Sequence, residues 1–407
     1  LPLMAASLLS EQPLVLSNIP LLADIKSMIR LLQHLGVRSE ITEALHSNSR
    51  TLTLQAEKMV SDDAPYDFVR KMRASILVLG PLLARNHEAN VSLPGGCAIG
   101  TRPVDLHIRA LEKMGAKIDI ENGYIHAKAP DGLKGADISF PKVTVTGTEN
   151  ILMAACLAKG RTRLFNSATE PEVCDLAHCL VAMGAQITGI GTSILTVDGV
   201  DSLTGTRHQV IADRIETGTY ILGVAICGGR LRLNNTSLDI LPTFKDIVQR
   251  LGVHVTQDKQ DLIITRSGKL NPVKVQTDPY PGYPTDLQAQ LMAVLCITPG
   301  ISFMKETIFE NRYMHVPELN RMGANITVTG NEAHIEGVDS LEGAEVMATD
   351  LRASVSLVLA GLVAKGDTVI NRVYHLDRGY EGLVDKLKKC GALIERISEA
   401  ELSLASS

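Results

Sequence analysis

The sequence predicts an α/β protein of six related units gathered into two halves, and three observations lead there. A helical pattern closes six times on Gly followed by Ala or Val: Leu35-Gly36-Val37, Met114-Gly115-Ala116, Met183-Gly184-Ala185, Leu251-Gly252-Val253, Met322-Gly323-Ala324 and Cys390-Gly391-Ala392. The intervals between these glycines are 79, 69, 68, 71 and 68 residues, the near-fixed period of a repeat array. After the closing glycine comes period-two alternation broken by a turn pair, as in Ile118, Ile120, Asn122-Gly123 and Tyr124 to Ala127, which reads as a hairpin with a type I′ turn. Helices that alternate with single strands and with hairpins imply mixed sheets covered by helices.

Taken in order, the chain starts at Leu1 rather than Met and enters at once into a helical pattern at Leu3, Met4, Leu8 and Leu9, so a further segment is expected upstream. Pro20, Pro103, Pro171, Pro242 and Pro317 fall at or near the starts of the closing helices, and the glycine at each end supplies the left-handed residue that a helix C-terminus favours. Ile326-Thr327-Val328 followed by Gly330-Asn331 repeats the hairpin logic. The longer first interval is ascribed to Glu43 to Asp63, a polar stretch read as an enlarged hairpin loop. One unit cannot bury both of its faces, so several are expected to share a core. The boundary is placed at Thr206 to Ile211, dividing the chain into domains 1–211 and 212–407 of three units each.

Composition narrows the function classes. At 407 residues, 45% hydrophobic and 21% charged, the chain suits soluble globular domains, and with 3% aromatics and no Trp its cores must be aliphatic. A net charge of −5 with interspersed signs leaves no broad footprint for nucleic acid or an anionic membrane. The longest apolar runs, such as Ala353 to Ala364, fall short of the ~20 residues that span a bilayer. Seven cysteines without a CxxC or Cys/His ligand spacing read as reduced thiols in a cytoplasmic protein, and the scattered histidines give no metal site. Walker, Rossmann and serine-hydrolase glycine patterns are missing, and no cofactor is expected.

The chemistry concentrates in a few stretches. Leu93-Pro94-Gly95-Gly96-Cys97-Ala98-Ile99-Gly100-Thr101-Arg102-Pro103 sets a thiol in a glycine-rich loop just before a helix whose Val104, Ile108 and Leu111 share a face. Such a position favours anions and lowers a thiol's pKa. An unreactive surface turn is the plainer alternative. In the second half, Tyr283-Pro284-Thr285-Asp286, Ala348-Thr349-Asp350-Leu351-Arg352-Ala353-Ser354 and His375-Leu376-Asp377-Arg378-Gly379-Tyr380-Glu381 each stand where a helix begins. Thr-Asp there serves as a helix cap, yet three such starts that also supply Arg352 and Arg378 point to a shared anion site. Arg-Ala-Ser recurs at Arg73-Ala74-Ser75, once per half, which predicts similar lobes with arginines on both walls of a cleft.

The stretch Pro94 to His107, with Asp213-Arg214-Ile215-Glu216-Thr217-Gly218-Thr219, Pro284-Thr285-Asp286, Ile308-Phe309-Glu310-Asn311-Arg312 and Ala348 to Ser354, resembles the UDP-N-acetylglucosamine 1-carboxyvinyltransferase family over essentially the whole chain. The resemblance implies a two-lobed enolpyruvyl-transferase fold, an inside-out α/β barrel of six βαβαββ units, three per lobe, closing on ligand. It implies transfer of the enolpyruvyl group of phosphoenolpyruvate to the 3′-hydroxyl of UDP-N-acetylglucosamine, in the first committed step of peptidoglycan synthesis, by a cytoplasmic monomer. Carried onto matching positions, Cys97 is the general acid to the vinyl carbon and can be trapped as a covalent adduct, Asp286 is the base for the 3′-hydroxyl, and Asp350 assists proton handling. Arg102, Arg352 and Arg378 hold the phosphate and carboxylate, and Arg73 sits near the sugar and lid. Pro103, Val104, Asp105 and Leu106 receive the uridine end, Thr144, Val145 and Thr146 line the diphosphate, and Ile308 meets the sugar. The family's Lys-Asn pair belongs just ahead of Leu1, in the segment expected upstream, together with a first strand whose loss leaves a sheet edge unpaired. Two other readings stay open: the related transferase acting on shikimate 3-phosphate, and a non-catalytic homologue that binds the nucleotide sugar.

Overall fold

The computed structural model describes residues 1–43, 50–69, 72–93 and 104–397. The chain divides into two compact units, Leu1–Ile211 with Pro279–Pro281, and Ala212–Asp278 with Gly282–Ser407.

Each unit is built from the repeat that the sequence spells out. In the third repeat a short entry strand Asp137–Ser139 leads through helix Val145–Ala155 to strand Arg161–Phe165, then through helix Pro171–Ala182 to the hairpin Gln186–Thr188 and Ile194–Asp198. The entry strand pairs parallel with the middle strand, and the hairpin adds antiparallel, giving one mixed four-stranded sheet. The helix limits follow local chemistry. Pro171 and Pro242 occupy the first helical position of their helices, and Thr144 caps Val145–Ala155 by accepting from the Gly147 amide at 3.2 Å. All six closing glycines take positive φ, between 90° and 105°, which a side chain would resist.

Two kinds of helix result. Val145–Ala155, Gln288–Leu295 and Leu351–Gly361 are buried along most of their length, polar residues such as Asn150 and Gln290 included, whereas Ala23–His34, Asp105–Lys113 and Pro242–Leu251 bury one stripe. The buried helices pack together in the middle of their unit: Leu79–Asn86 against Val145–Ala155 in the first, and Gln288–Leu295 against Leu351–Gly361 and Arg214–Cys227 in the second. The strands, with alternating buried and exposed residues such as Ile301–Lys305, turn their outer faces to solvent. Helices inside and sheets outside give the inside-out arrangement. Gly80 permits a close helix approach, since a Cβ there would lie 2.4 Å from Asn150 Oδ1 and 2.5 Å from the Asn150 carbonyl oxygen.

Two local readings change. Glu43 to Asp63 is not one loop: Arg50–Gln55 is a strand that pairs antiparallel with Arg38–Glu43, its Leu52 and Leu54 buried, and Asp63–Ala64 is a short entry strand. Alternation of Leu52 and Leu54 with threonines carries a strand even in polar surroundings. The Asn122-Gly123 turn has positive φ at both residues, the type I′ pattern, but at Gly330-Asn331 only the glycine does, as in a type II′ turn. Thr206–Gln209, at the end of the first unit, turns back and pairs parallel with Leu14–Ser17, supplying the first sheet with the entry strand that its two sister sheets take from just ahead of their own helices. Among the described residues, the fourth repeat's sheet then has three strands, Gly229–Leu233, Asp261–Arg266 and His254–Asp258.

Candidate active site

In the first unit, the polar groups of the apolar core converge where three helices begin. Val104 is the N-cap of Asp105–Lys113, and Asp105 in its first turn pairs with Arg109 at 3.7 Å through Oδ2 while Oδ1 is buried without a hydrogen-bond partner among the described residues. A buried carboxylate oxygen at a helix start, left without a donor, is suited to accept from a ligand. Leu106 points into the core, leaving only its backbone for a ligand. Thr144, Val145 and Thr146 form the start of the third-repeat helix, and Arg73 opens the 3-10 turn Arg73–Val78.

His107 ties these starts together. Its Nδ1 lies 3.0 Å from Asn150 Nδ2 and its Nε2 lies 3.4 Å from Thr146 Oγ1. Asn150 Oδ1 accepts from the Gly80 amide at 2.7 Å and its Nδ2 also donates to the Ile76 carbonyl. Since Asn150 can only donate through Nδ2, His107 Nδ1 accepts and Nε2 carries the proton. The ring is neutral: burial, then the charge of Arg73, pushes its pKa down to about 4.

In the second unit, Asp286 sits in the 3-10 turn Thr285–Leu287 at the head of Gln288–Leu295 and is gripped by two arginines. Arg312 Nη2 donates to Oδ1 at 2.8 Å and Arg352 Nη2 to Oδ2 at 2.9 Å. Burial raises the carboxyl pKa, but the two guanidinium groups outweigh it and hold Asp286 well below the usual carboxylate range. Burial likewise opposes the charge of Arg352, and Asp286 beside it more than compensates. Arg352 Nη1 reaches the Tyr380 hydroxyl at 3.3 Å, with its guanidinium 5.8 Å from that ring's centroid, and Tyr380 is held in turn by Thr219 at 2.9 Å.

Asp350 is a helix cap, its Oδ1 accepting from the amides of Arg352 at 2.8 Å and Ala353 at 3.1 Å. Arg378 ends the 3-10 turn Val373–Arg378. The Ile308 amide donates to Glu306 Oε1 at 2.8 Å, fixing that loop. The second unit thus brings Asp286 and Arg352 into contact. Cys97, Arg102 and Pro103 lie outside the described residues.

A family model described as EPSP synthase (3-phosphoshikimate 1-carboxyvinyltransferase) matches residues 1–387. A protein of Gluconobacter oxydans named UDP-N-acetylglucosamine 1-carboxyvinyltransferase is 57% identical over 399 residues, covering 98% of this chain and 94% of that one. The relative of the same name from Paracoccus denitrificans is 56% identical over 401 residues, covering 98% and 93%. The chain belongs to the UDP-N-acetylglucosamine 1-carboxyvinyltransferase family. Solved structures share the fold: the enolpyruvyl transferase NikO from Streptomyces tendae at TM-score 0.86 and 24% identity, covering 96% of this chain and 92% of that one, and the EPSP synthase of Acinetobacter baumannii at 0.74 and 19%, covering 98% and 95%.

For a UDP-N-acetylglucosamine 1-carboxyvinyltransferase family member, two features of these sites went unassigned in the sequence. Arg312 stands inside the motif Ile308 to Arg312 but received no role, because nothing in linear spacing says that it meets Asp286 across 26 residues. The His107 and Asn150 pair is likewise invisible to spacing, being 43 residues apart. An Arg that is buried needs a carboxylate partner, but burial is not read from this stretch, where Glu306 and Glu310 stand closer in sequence than Asp286.

Proposed function

We infer that the chain transfers the enolpyruvyl group of phosphoenolpyruvate to the 3′-hydroxyl of UDP-N-acetylglucosamine, releasing phosphate, as the first committed step of peptidoglycan synthesis. The observation that carries this reading is the similarity, at 57% identity over 98% of the chain, to a curated enzyme named for that activity. Its support in the structure is a carboxylate at a helix start between two arginines, a setting that suits an acidic base beside an anion site.

In the proposed reaction Asp286 accepts the 3′-hydroxyl proton as that oxygen attacks C2 of phosphoenolpyruvate, and the Cys97 thiol delivers a proton to the vinyl carbon C3. The resulting adduct then loses a C3 proton while the bond from C2 to the phosphate oxygen breaks, restoring the double bond and expelling phosphate with its electron pair. Arg102, Arg352 and Arg378 hold the anionic oxygens, Asp350 assists proton handling, and Arg73 sits near the sugar and lid. Pro103, Val104, Asp105 and Leu106 receive the uridine end, Thr144, Val145 and Thr146 the diphosphate, and Ile308 the sugar. The assignment requires groups from both units, and hence from domains 1–211 and 212–407, to act on one ligand pair. Positive charge developing at C2 is offset by carboxylates, and charge on the departing phosphate by arginines. The enzyme is proposed to work as a cytoplasmic monomer.

Phosphate release tests the reading. Turnover is expected with phosphoenolpyruvate plus UDP-N-acetylglucosamine and not with phosphoenolpyruvate plus shikimate 3-phosphate; the opposite pattern would reverse the assignment. By intact mass, the epoxide fosfomycin should add once to the wild type and not to Cys97→Ala. A chain that binds the nucleotide sugar but neither turns over nor labels is a non-catalytic homologue.

A further inference from the structure

The grip that orients Asp286 also weakens it as a base. Two guanidinium groups stabilise the ionised carboxylate and lower its proton affinity, and the arginine on Oδ2, Arg352, is also one of those assigned to the substrate's anion. The two arginines are not equivalent. The Arg312 side chain is 4% exposed, its guanidinium lies 5.3 Å from the centroid of the Phe309 ring, and its Nη1 is buried without a hydrogen-bond partner among the described residues. The Arg352 side chain is 14% exposed and Asp286 is 38% exposed, so the Asp286–Arg352 contact is the one that a ligand can reach. Arg352 also has a second holding point in the Tyr380 hydroxyl, which keeps the guanidinium near when it leaves Asp286.

We propose that Arg312 is a positioning residue that keeps hold of Asp286 Oδ1 while Arg352 passes from Asp286 Oδ2 to an anionic oxygen of phosphoenolpyruvate, so that the base is freed only once the anion is bound. The exchange rests on the functional reading above and adds a sequence of events to it. In the unliganded protein the carboxylate is doubly paired and a weak base. When a phosphate or carboxylate oxygen draws Arg352 away, Oδ2 loses one positive neighbour and becomes able to take the 3′-hydroxyl proton, while Oδ1 stays anchored and the carboxylate keeps its orientation. The anion of the first substrate thereby switches on the group that activates the second. Wasteful proton removal without phosphoenolpyruvate in place is avoided.

The charged and titratable groups around this carboxylate come from several elements. Arg352 and the capping Asp350 belong to the helix Leu351–Gly361, Arg312 and His315 to the segment leading into Val316–Arg321, and Glu306 accepts from Thr285 beside Asp286 at 2.8 Å. Tyr380 and Asp213 act on Arg352. Only Arg312 and Arg352 bond the Asp286 carboxylate directly among the described residues.

The pH dependence of turnover tests the exchange, because kcat/KM for phosphoenolpyruvate reports the enzyme before that substrate binds and kcat reports the loaded complex. In the wild type the acid limb of kcat should lie at least about one pH unit above that of kcat/KM, since the loaded complex has lost Arg352 from Asp286. In Arg312→Met both limbs should move to higher pH and kcat should fall by more than about tenfold, whereas Arg312→Lys, which keeps the charge, should stay near the wild-type limbs. A residue that merely supports the fold would lower thermal stability in both variants and leave the limbs where they were, which would overturn the proposal. If Arg312→Met does not fold, the wild-type limbs and Arg312→Lys still decide. Coincident limbs in an active wild type overturn the exchange alone; a wild type that releases no phosphate overturns the functional reading and the exchange with it.

Discussion

Asp350 accepts hydrogen bonds from two amides at the start of Leu351–Gly361, and the same carboxylate is assigned a part in proton handling. Serine separates the two roles, because its hydroxyl caps a helix about as well as aspartate but carries no exchangeable carboxyl. Asp350→Ser is expected to keep stability within about 0.5 kcal/mol of wild type in urea unfolding while lowering kcat by about 10²-fold, the ordinary size of a lost proton-transfer group. Full activity in that variant would leave Asp350 as a cap and nothing more. At this scale the sequence is half legible. The Pro284-Thr285-Asp286 and Thr349-Asp350 starts are visible because capping chemistry is local, and the structure places both at helix heads. The partners are not visible: Arg352 reaches Asp286 across 66 residues and Arg312 across 26, distances that only the packing of three separate segments can close.

The elements were the most legible level, for the reason that their limits are written in single residues. A positive φ at each closing glycine and a proline in the first turn need no tertiary information; the glycines all bear out the pattern, as do Pro171, Pro242 and Pro317, while Pro20 stands just ahead of its helix. The strand Arg50–Gln55 was lost in a polar stretch because its inward face consists of Leu52 and Leu54 alone, too short a period for a clear signal. Helix spacing is a different matter, since the close contact at Gly80 depends on Asn150 in another repeat. Gly80→Ala places a methyl group in steric clash with Asn150 while its amide is already donating to that side chain. A loss of about 1–3 kcal/mol is expected from the forced shift, measurable as a lower urea midpoint, and it should exceed the effect of Gly115→Asn, where asparagine strains the left-handed backbone less than other side chains do and nothing lies within 4 Å of the Cβ position. Equal effects would mean that the helix pair relaxes freely.

For the molecule as a whole, each unit carries one deeply buried neutral histidine, His107 in the first and His315 in the second, both with pKa pushed down to about 4, chiefly by burial. On unfolding each returns to about 6.5, so as pH falls the unfolded chain takes up protons first. The stability from each is whole above pH 6.5 and is lost between about 6.5 and 4, by as much as about 3 kcal/mol per histidine. Urea unfolding at pH 7 and pH 4.5 should therefore show a fall that shrinks in His107→Gln and again in His315→Gln; an unchanged fall would show that these rings do not govern the acid response. The repeated α/β unit was legible from the period of the glycines. What the period could not convey is that Thr206–Gln209 belongs to the first sheet, because strand pairing between the two ends of a unit leaves no mark on a repeat. That pairing has a consequence for synthesis. A nascent chain leaving the ribosome exposes the edge of Leu14–Ser17 until nearly the whole of the first unit has been made, so within that unit the first sheet is started earliest and sealed last, and until Thr206–Gln209 emerges its bare margin is the natural place for a chaperone to attend.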